Sequence, residues 1–150
     1  RTCIDAFAGS DEFVLISTGK RFAAEALGAL PPNVLVHPWV PQAAVLQRAA
    51  LFITHAGLGS VHDGLTCGLP LLLVPQQAEQ TLTAQRVVEL GAGLLLKKGE
   101  VNVQSLRDAA ARLLAEPHFT QEAQHIGESL RTAGGMTRAG DEIDHLLQTR

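Results

Sequence analysis

The 150-residue chain has no tyrosine, a single tryptophan, one methionine and two cysteines. Each scarcity excludes something. Cys3 and Cys67 are too few for a disulfide scaffold and lack the paired spacing of a zinc site, so they read as free thiols of a reducing, cytoplasmic setting. Charge is sparse too: 18% charged residues and a net −3 with six neutral histidines offer no basic field to a nucleic acid or an anionic membrane. The longest apolar run, Leu69 to Val74, falls far short of the ~20 residues that span a bilayer, so no membrane span is expected. What remains is an ordinary globular composition, 46% hydrophobic, sufficient for one buried core in a one-domain length. Repeats and low-complexity tracts are absent.

Five short apolar runs punctuate the chain: Phe13 to Ser17, Val34 to Val36, Leu51 to Thr54, Leu71 to Val74 and Leu94 to Leu96. Their residues are consecutive rather than alternating, which predicts strands covered on both faces. Between them, Ala43–Ala50, Ser60–Cys67 and Thr81–Leu90 read as helices that stop at a glycine or a short turn. Strand and helix alternate over short connections, which predicts a parallel sheet flanked by helices, an α/β fold. After residue 100 only helices are expected. Leu106, Ala109, Ala110, Leu113 and Leu114 form one amphipathic stripe, and segments near Gln121–Ala133 and Arg138–Leu147 follow, parted by Gly134-Gly135. At the start, Ile4, Phe7 and Ala8 recur at helical spacing behind Arg1, as in a helix whose preceding element lies outside the sequence. No signal or transit peptide fits these residues.

Ligands of open parallel sheets bind beyond the carboxyl ends of the strands. The junction His55-Ala56-Gly57-Leu58-Gly59-Ser60 follows one strand and opens a helix. Two glycines permit close backbone approach, and the helix tip offers N–H donors and a positive dipole end to an anion such as a phosphate. The same glycines also suit plain packing and turn chemistry. His62 replaces the third glycine of a dinucleotide fingerprint, and no Walker-type Gly-Lys-Ser or Gly-Lys-Thr occurs, so NAD and ATP readings weaken. His55 either hydrogen-bonds within the core or donates to a phosphate oxygen. Ser60 and Asp63 fit a capping box; alternatively Asp63 accepts from a sugar hydroxyl at the helix tip. Ser60, His62 and Asp63 do not form a hydrolytic triad, because residues two apart on a helix point to different sides.

Two further junctions carry polar or aromatic groups to the same edge. Pro38-Trp39-Val40-Pro41-Gln42 holds the lone tryptophan in a proline-locked turn, where it either fills the core or stacks on a base beside the phosphates. Pro75-Gln76-Gln77-Ala78-Glu79-Gln80 brings Glu79 and Gln80 to a helix start, as dipole complements or as readers of sugar hydroxyls. His37, His118, His125 and His145 look like surface or packing residues, with no ligand clustering for a metal.

Several ordered motifs, Leu30-Pro31-Pro32-Asn33-Val34, Trp39-Val40-Pro41-Gln42, Phe52-Ile53-Thr54-His55-Ala56-Gly57, Gly68-Leu69-Pro70, Pro75-Gln76 with Ala78-Glu79-Gln80, and Glu89-Leu90-Gly91-Ala92-Gly93, resemble the C-terminal, donor-binding half of nucleotide-sugar-dependent glycosyltransferases. The resemblance is to the two-Rossmann-domain GT-B type, UDP-glycosyltransferase superfamily, in its bacterial macrolide and natural-product branch, and it runs from about Phe13 to the last helix. It implies that Trp39 stacks on the pyrimidine of a UDP- or dTDP-sugar, with Val40 backbone atoms and Gln42 at the base edge and ribose. His55, Gly57, Gly59 and Ser60 would hold the diphosphate, and Glu79 and Gln80 the sugar hydroxyls. Asp63 stands where many relatives carry a longer ribose-reading Glu, and Thr83 where they commonly have Asn.

The resemblance also implies an inverting transfer to a hydroxyl of a small natural-product acceptor, without a required metal or cofactor. The general base, a histidine of an N-terminal acceptor domain, is then outside this chain, as is the first strand of this half, near the sheet's centre. The 150 residues form a single donor-binding domain and are expected to be inactive alone. A non-catalytic nucleotide-sugar binding module is the alternative, distinguished by whether an acceptor domain precedes the chain. A sugar-nucleotide epimerase fits the Trp39 and Glu79-Gln80 motifs poorly.

Overall fold

The computed structural model describes residues 1–19 and 27–149. All five apolar runs form strands, in two parallel sheets. β1 (Val14–Ser17) pairs with β2 (Val34–His37) in the register Val14 to Val34. β3 (Phe52–Thr54), β4 (Leu71–Leu73) and β5 (Gly93–Leu95) form the second sheet in that order, with β4 central. Helices α1 (Thr2–Phe7), α2 (Gln42–Leu46), α3 (Leu58–Thr66) and α4 (Ala78–Glu89) alternate with the strands, and α5 (Val103–Ala115), α6 (Pro117–Thr132) and α7 (Gly135–Gln148) close the described chain.

The larger sheet is packed on both faces by its pleat. Leu71 and Leu73 point to one side, onto Val61 and Leu65 of α3, Ala84 and Val87 of α4 and Ala123 of α6. Leu72 points to the other, onto Leu106, Ala109, Ala110 and Leu113 of α5 and Ala6 and Phe7 of α1. Removing a leucine of this kind from water stabilises the fold by about 1.5–3 kcal/mol. The expectation that every strand is covered twice holds for β4 but not for β2, where Val34 and Val36 are buried and Leu35 and His37 exposed. The reason is its neighbours: Ile4 of α1 covers the valines, and no helix among the described residues buries Leu35.

The glycine stops are where they were expected. Gly68 and Gly91 both adopt left-handed φ, +71° and +72°, and the amides of Leu69 and Ala92 reach back to the carbonyls of Gly64 and Val87 at 3.1 Å, closing α3 and α4. α5 is capped by reciprocal bonds between Asn102 and Ser105, each 2.9 Å. Small adjustments follow elsewhere. Ala8 lies beyond α1 and is exposed while Ala6 is buried, α2 ends at Leu46 rather than Ala50, and Leu114 faces solvent rather than joining the α5 stripe. Cys3 and Cys67 are unpaired thiols, and burial pushes the Cys3 thiol above its ordinary 9.0. Among the described residues no helix is long and apolar enough to cross a membrane.

Candidate functional site

The strand β3 delivers the chain from buried Thr54 to exposed His55 and then into α3. The turn is tighter than the sequence suggests. Ala56, wholly buried, takes a left-handed φ of +66°, the one non-glycine among the described residues with positive φ. That geometry costs an alanine roughly 1–2 kcal/mol, and strain of this kind collects at ligand clamps. Sequence reasoning missed it, because nothing in an alanine between His55 and Gly57 announces a left-handed backbone.

Gly57, in extended conformation, is the residue before the first turn of α3, and the Val61 amide closes that turn onto its carbonyl at 3.0 Å. The capping-box reading of Ser60 and Asp63 is therefore corrected. The helix starts two residues before Ser60 and has no side-chain cap, so Ser60 lies inside the first turn. The amides of Leu58, Gly59 and Ser60 are left without a hydrogen-bond partner among the described residues. A side chain at Gly57 would lie 2.7 Å from His55 Nε2, and one at Gly59 would meet open space. The imidazole thus rests against Gly57, beside three free N–H groups at the positive end of a nine-residue helix. Chemically this is an anion cradle with an imidazole at its rim.

Trp39 lies in the turn between β2 and α2. The indole is 64% exposed, so the core reading of this tryptophan fails and a free aromatic face remains. Val40 is half-buried next to it and its backbone groups are unbonded among the described residues. Pro41 then starts α2, whose first residue, Gln42, donates from Nε2 to Asp63 Oδ2 on α3 at 2.8 Å. This bond between residues 21 apart ties the tryptophan turn to the anion cradle. Asp63 Oδ1 lies 3.9 Å from His62 Nδ1, and Ser60 is bonded to neither, in agreement with the rejection of a triad.

The third junction behaves differently in its two candidate residues. α4 begins at Ala78, three residues earlier than expected, because the Thr81 amide closes a turn onto the Gln77 carbonyl at 3.1 Å. Glu79 is exposed in that first turn. Gln80 is buried, and its Oε1 accepts from the Gln76 amide at 2.8 Å, bracing the loop that follows β4. Thr83 Oγ1 donates to the Glu79 carbonyl. His37, His118, His125 and His145 are exposed, and no group of three or more His, Cys, Asp or Glu fit for a metal occurs among the described residues.

A family model described as the C-terminal domain of erythromycin biosynthesis protein CIII-like proteins matches residues 1–134. NDP-glycosyltransferase YjiC of Bacillus licheniformis is 39% identical over 145 residues, covering 97% of this chain and 37% of that protein. The structure of CalG4, the calicheamicin glycosyltransferase, is 34% identical with a TM-score of 0.93, covering 98% of this chain and 37% of that one. Glycosyltransferase VinC, solved in complex with DTDP, is 29% identical with a TM-score of 0.87, again over 98% and 37%. The chain spans little more than a third of the length of these relatives.

Proposed function

Because the chain belongs to the erythromycin biosynthesis protein CIII-like C-terminal domain family, the C-terminal half of GT-B natural-product glycosyltransferases, we propose that it holds the UDP- or dTDP-sugar donor of such an enzyme. The observation that carries this is the Gln42–Asp63 hydrogen bond, which ties α2, just after the turn with the exposed indole, to α3, the helix that opens with unbonded amides. A pyrimidine on Trp39 then leaves its ribose over the Gln42–Asp63 pair, and its phosphates reach the amides of Leu58, Gly59 and Ser60 with His55 at their flank. The dipole of α3 opposes the negative charge that builds on the departing diphosphate, which is where a sugar transfer needs stabilisation. No metal is required for that. Glu79 is free to read sugar hydroxyls, while Gln80 offers its amide NH₂, its oxygen being engaged by Gln76.

The acceptor, a hydroxyl-bearing natural product, and the base that takes its proton lie in chain outside these residues, so transfer by the 150 residues alone is not expected. The interruption of the sheet between β1 and β3, with Val14 packed into the same cluster as Ile53, supports a further central strand supplied from that outside chain. Unpaired Cys3 and Cys67 fit a reducing, cytoplasmic setting.

The test uses the lone tryptophan as its own reporter. Titration with UDP and dTDP should change its emission, and calorimetry should show Trp39→Ala weakening both by roughly 1–3 kcal/mol, the scale of base stacking. Equal affinity in the variant would remove the base platform from the proposal.

A further inference from the structure

The two ends of α3 are finished differently. Its last four carbonyls, where a helix runs out of internal partners, are all engaged: Asp63, Gly64 and Leu65 accept from the amides of Cys67, Leu69 and Gly68 at 3.2, 3.1 and 2.8 Å, and Thr66 accepts from Arg131 Nη1 of α6. At the other end the amides of Leu58, Gly59 and Ser60 have no partner among the described residues. We propose that Arg131 is a positioning residue for the diphosphate, holding α3 by its carboxyl end so that the free amides stay where the phosphates need them; the proposal rests on the donor site described above.

The helix needs such a hold. It is entered through the left-handed Ala56 and has no side-chain cap, and a strained turn keeps its shape only when the structure around it is fixed independently. On α6, Gln124, Gly127 and Arg131 follow at helical spacing and share one face. Side chains at Gly68 and Gly127 would run into Gln124 and the Leu65 carbonyl oxygen, and Arg131 Nη1 lies over Gly127 on its way to Thr66. Glycine at 127 thus brings the backbone of α6 against the end of α3, while Ala123, Ile126 and Leu130 pack beside the seam in one core cluster with Leu65. Arg131 adds a charge to this contact. Its Nη2 is steadied by Glu128 Oε2 at 2.8 Å, and the cation stands at the negative end of the α3 dipole. From Thr66 back to Leu58 the helix rises roughly 12 Å, so Arg131 acts on the phosphates through the helix rather than by touching them. Donors held in place beforehand need no reorientation when the anion arrives.

Calorimetric titration of the full 150-residue chain with UDP and with uridine isolates the effect, because uridine has no phosphate for α3 to hold. Arg131→Leu should lower the UDP to uridine affinity ratio about two- to fivefold, the scale of a cation at a helix terminus; the side chain is 46% exposed, which keeps the change modest. An unchanged ratio would overturn the proposal. Partial unfolding does not imitate the result, since it scales both affinities alike. Arg131→Lys keeps the charge and one donor and should recover part of the lost ratio, whereas a ratio as low as in the leucine variant would overturn the role of the bond to Thr66. Arg112→Leu removes the same charge from α5, where it pairs with Glu116, and should leave the ratio unmoved; an equal fall would trace the effect to net charge and overturn the positioning role. Failure of the unaltered chain to favour UDP over uridine would instead overturn the donor site itself, and this proposal with it.

Discussion

β4 and β2 are each built on three consecutive aliphatic residues, Leu71-Leu72-Leu73 and Val34-Leu35-Val36, yet the first run is fully buried whereas in the second Leu35 is 44% exposed. β4 has a strand on either side and helices on both faces, α3, α4 and α6 against α1 and α5. Among the described residues β2 is paired on one side only and α1 covers one face. An apolar run therefore identifies a strand without saying how many of its faces are covered. The division also sorts the candidate site: the helix tip after β3 and the Glu79 loop grow from the larger sheet, while the tryptophan turn grows from the smaller one. The bond from Gln42 to Asp63 joins them, together with the packing of Leu46 of α2 against the cluster of Val61 and Leu65 of α3.

The contrast can be broken most severely at Gly93. Any side chain there would collide with the Leu71 backbone carbonyl and approach Val87 Cγ1 to 3.1 Å. Gly93→Val should cost roughly 3 kcal/mol or more in chemical denaturation, since overpacking against backbone cannot relax by a rotamer change. Next in size, Leu72→Ala should cost about 2–5 kcal/mol, whereas Leu35→Ala, equal in chemistry, should stay within about 0.5 kcal/mol of the unaltered chain. Similar losses at the two leucines would mean that the two sheets are equally covered.

Smaller effects sharpen the functional half of the contrast. Trp39→Ala should leave the denaturation midpoint nearly unmoved while weakening nucleotide binding, because an exposed ring contributes little to folding. His55→Ala should weaken nucleoside diphosphates more than nucleosides in the same calorimetric titrations; an equal loss on both would take His55 away from the phosphates. The least change is expected at Ala56→Gly. Release of roughly 1–2 kcal/mol of left-handed strain is offset by a lost buried methyl, about 0.8 kcal/mol, and by the extra freedom of glycine in the unfolded chain, about 0.5–1 kcal/mol. Its stability should therefore shift by less than about 1 kcal/mol in either direction, and denaturation outside that window would show the turn to be held otherwise.

Strands and helix stops were legible because their causes are local: runs of aliphatic residues, and glycines at Gly68 and Gly91 whose left-handed φ few other residues accept. The site's parts were legible one junction at a time, since each follows a strand end. Illegible were the features made by residues far apart or by backbone strain. Asp63 pairs with Gln42 across 21 positions instead of capping its own helix, and no short pattern encodes that. Gln80 turns inward because Gln76 presents an amide that needs an acceptor. The start of α3 was misplaced because Gly57 caps with its backbone and bears no side chain to signal it.

The joint at Gly134 and Gly135, both at positive φ, separates α6 from a helix that contributes nothing to the interior: α7 has no buried residue, and Met136, Ile143, Leu146 and Leu147 all face outward. A gene cut just after codon 134 would discard an amphipathic helix with one bare apolar face and keep every side chain of the three core clusters. Such a trimmed protein should be easier to concentrate and crystallise than the longer one.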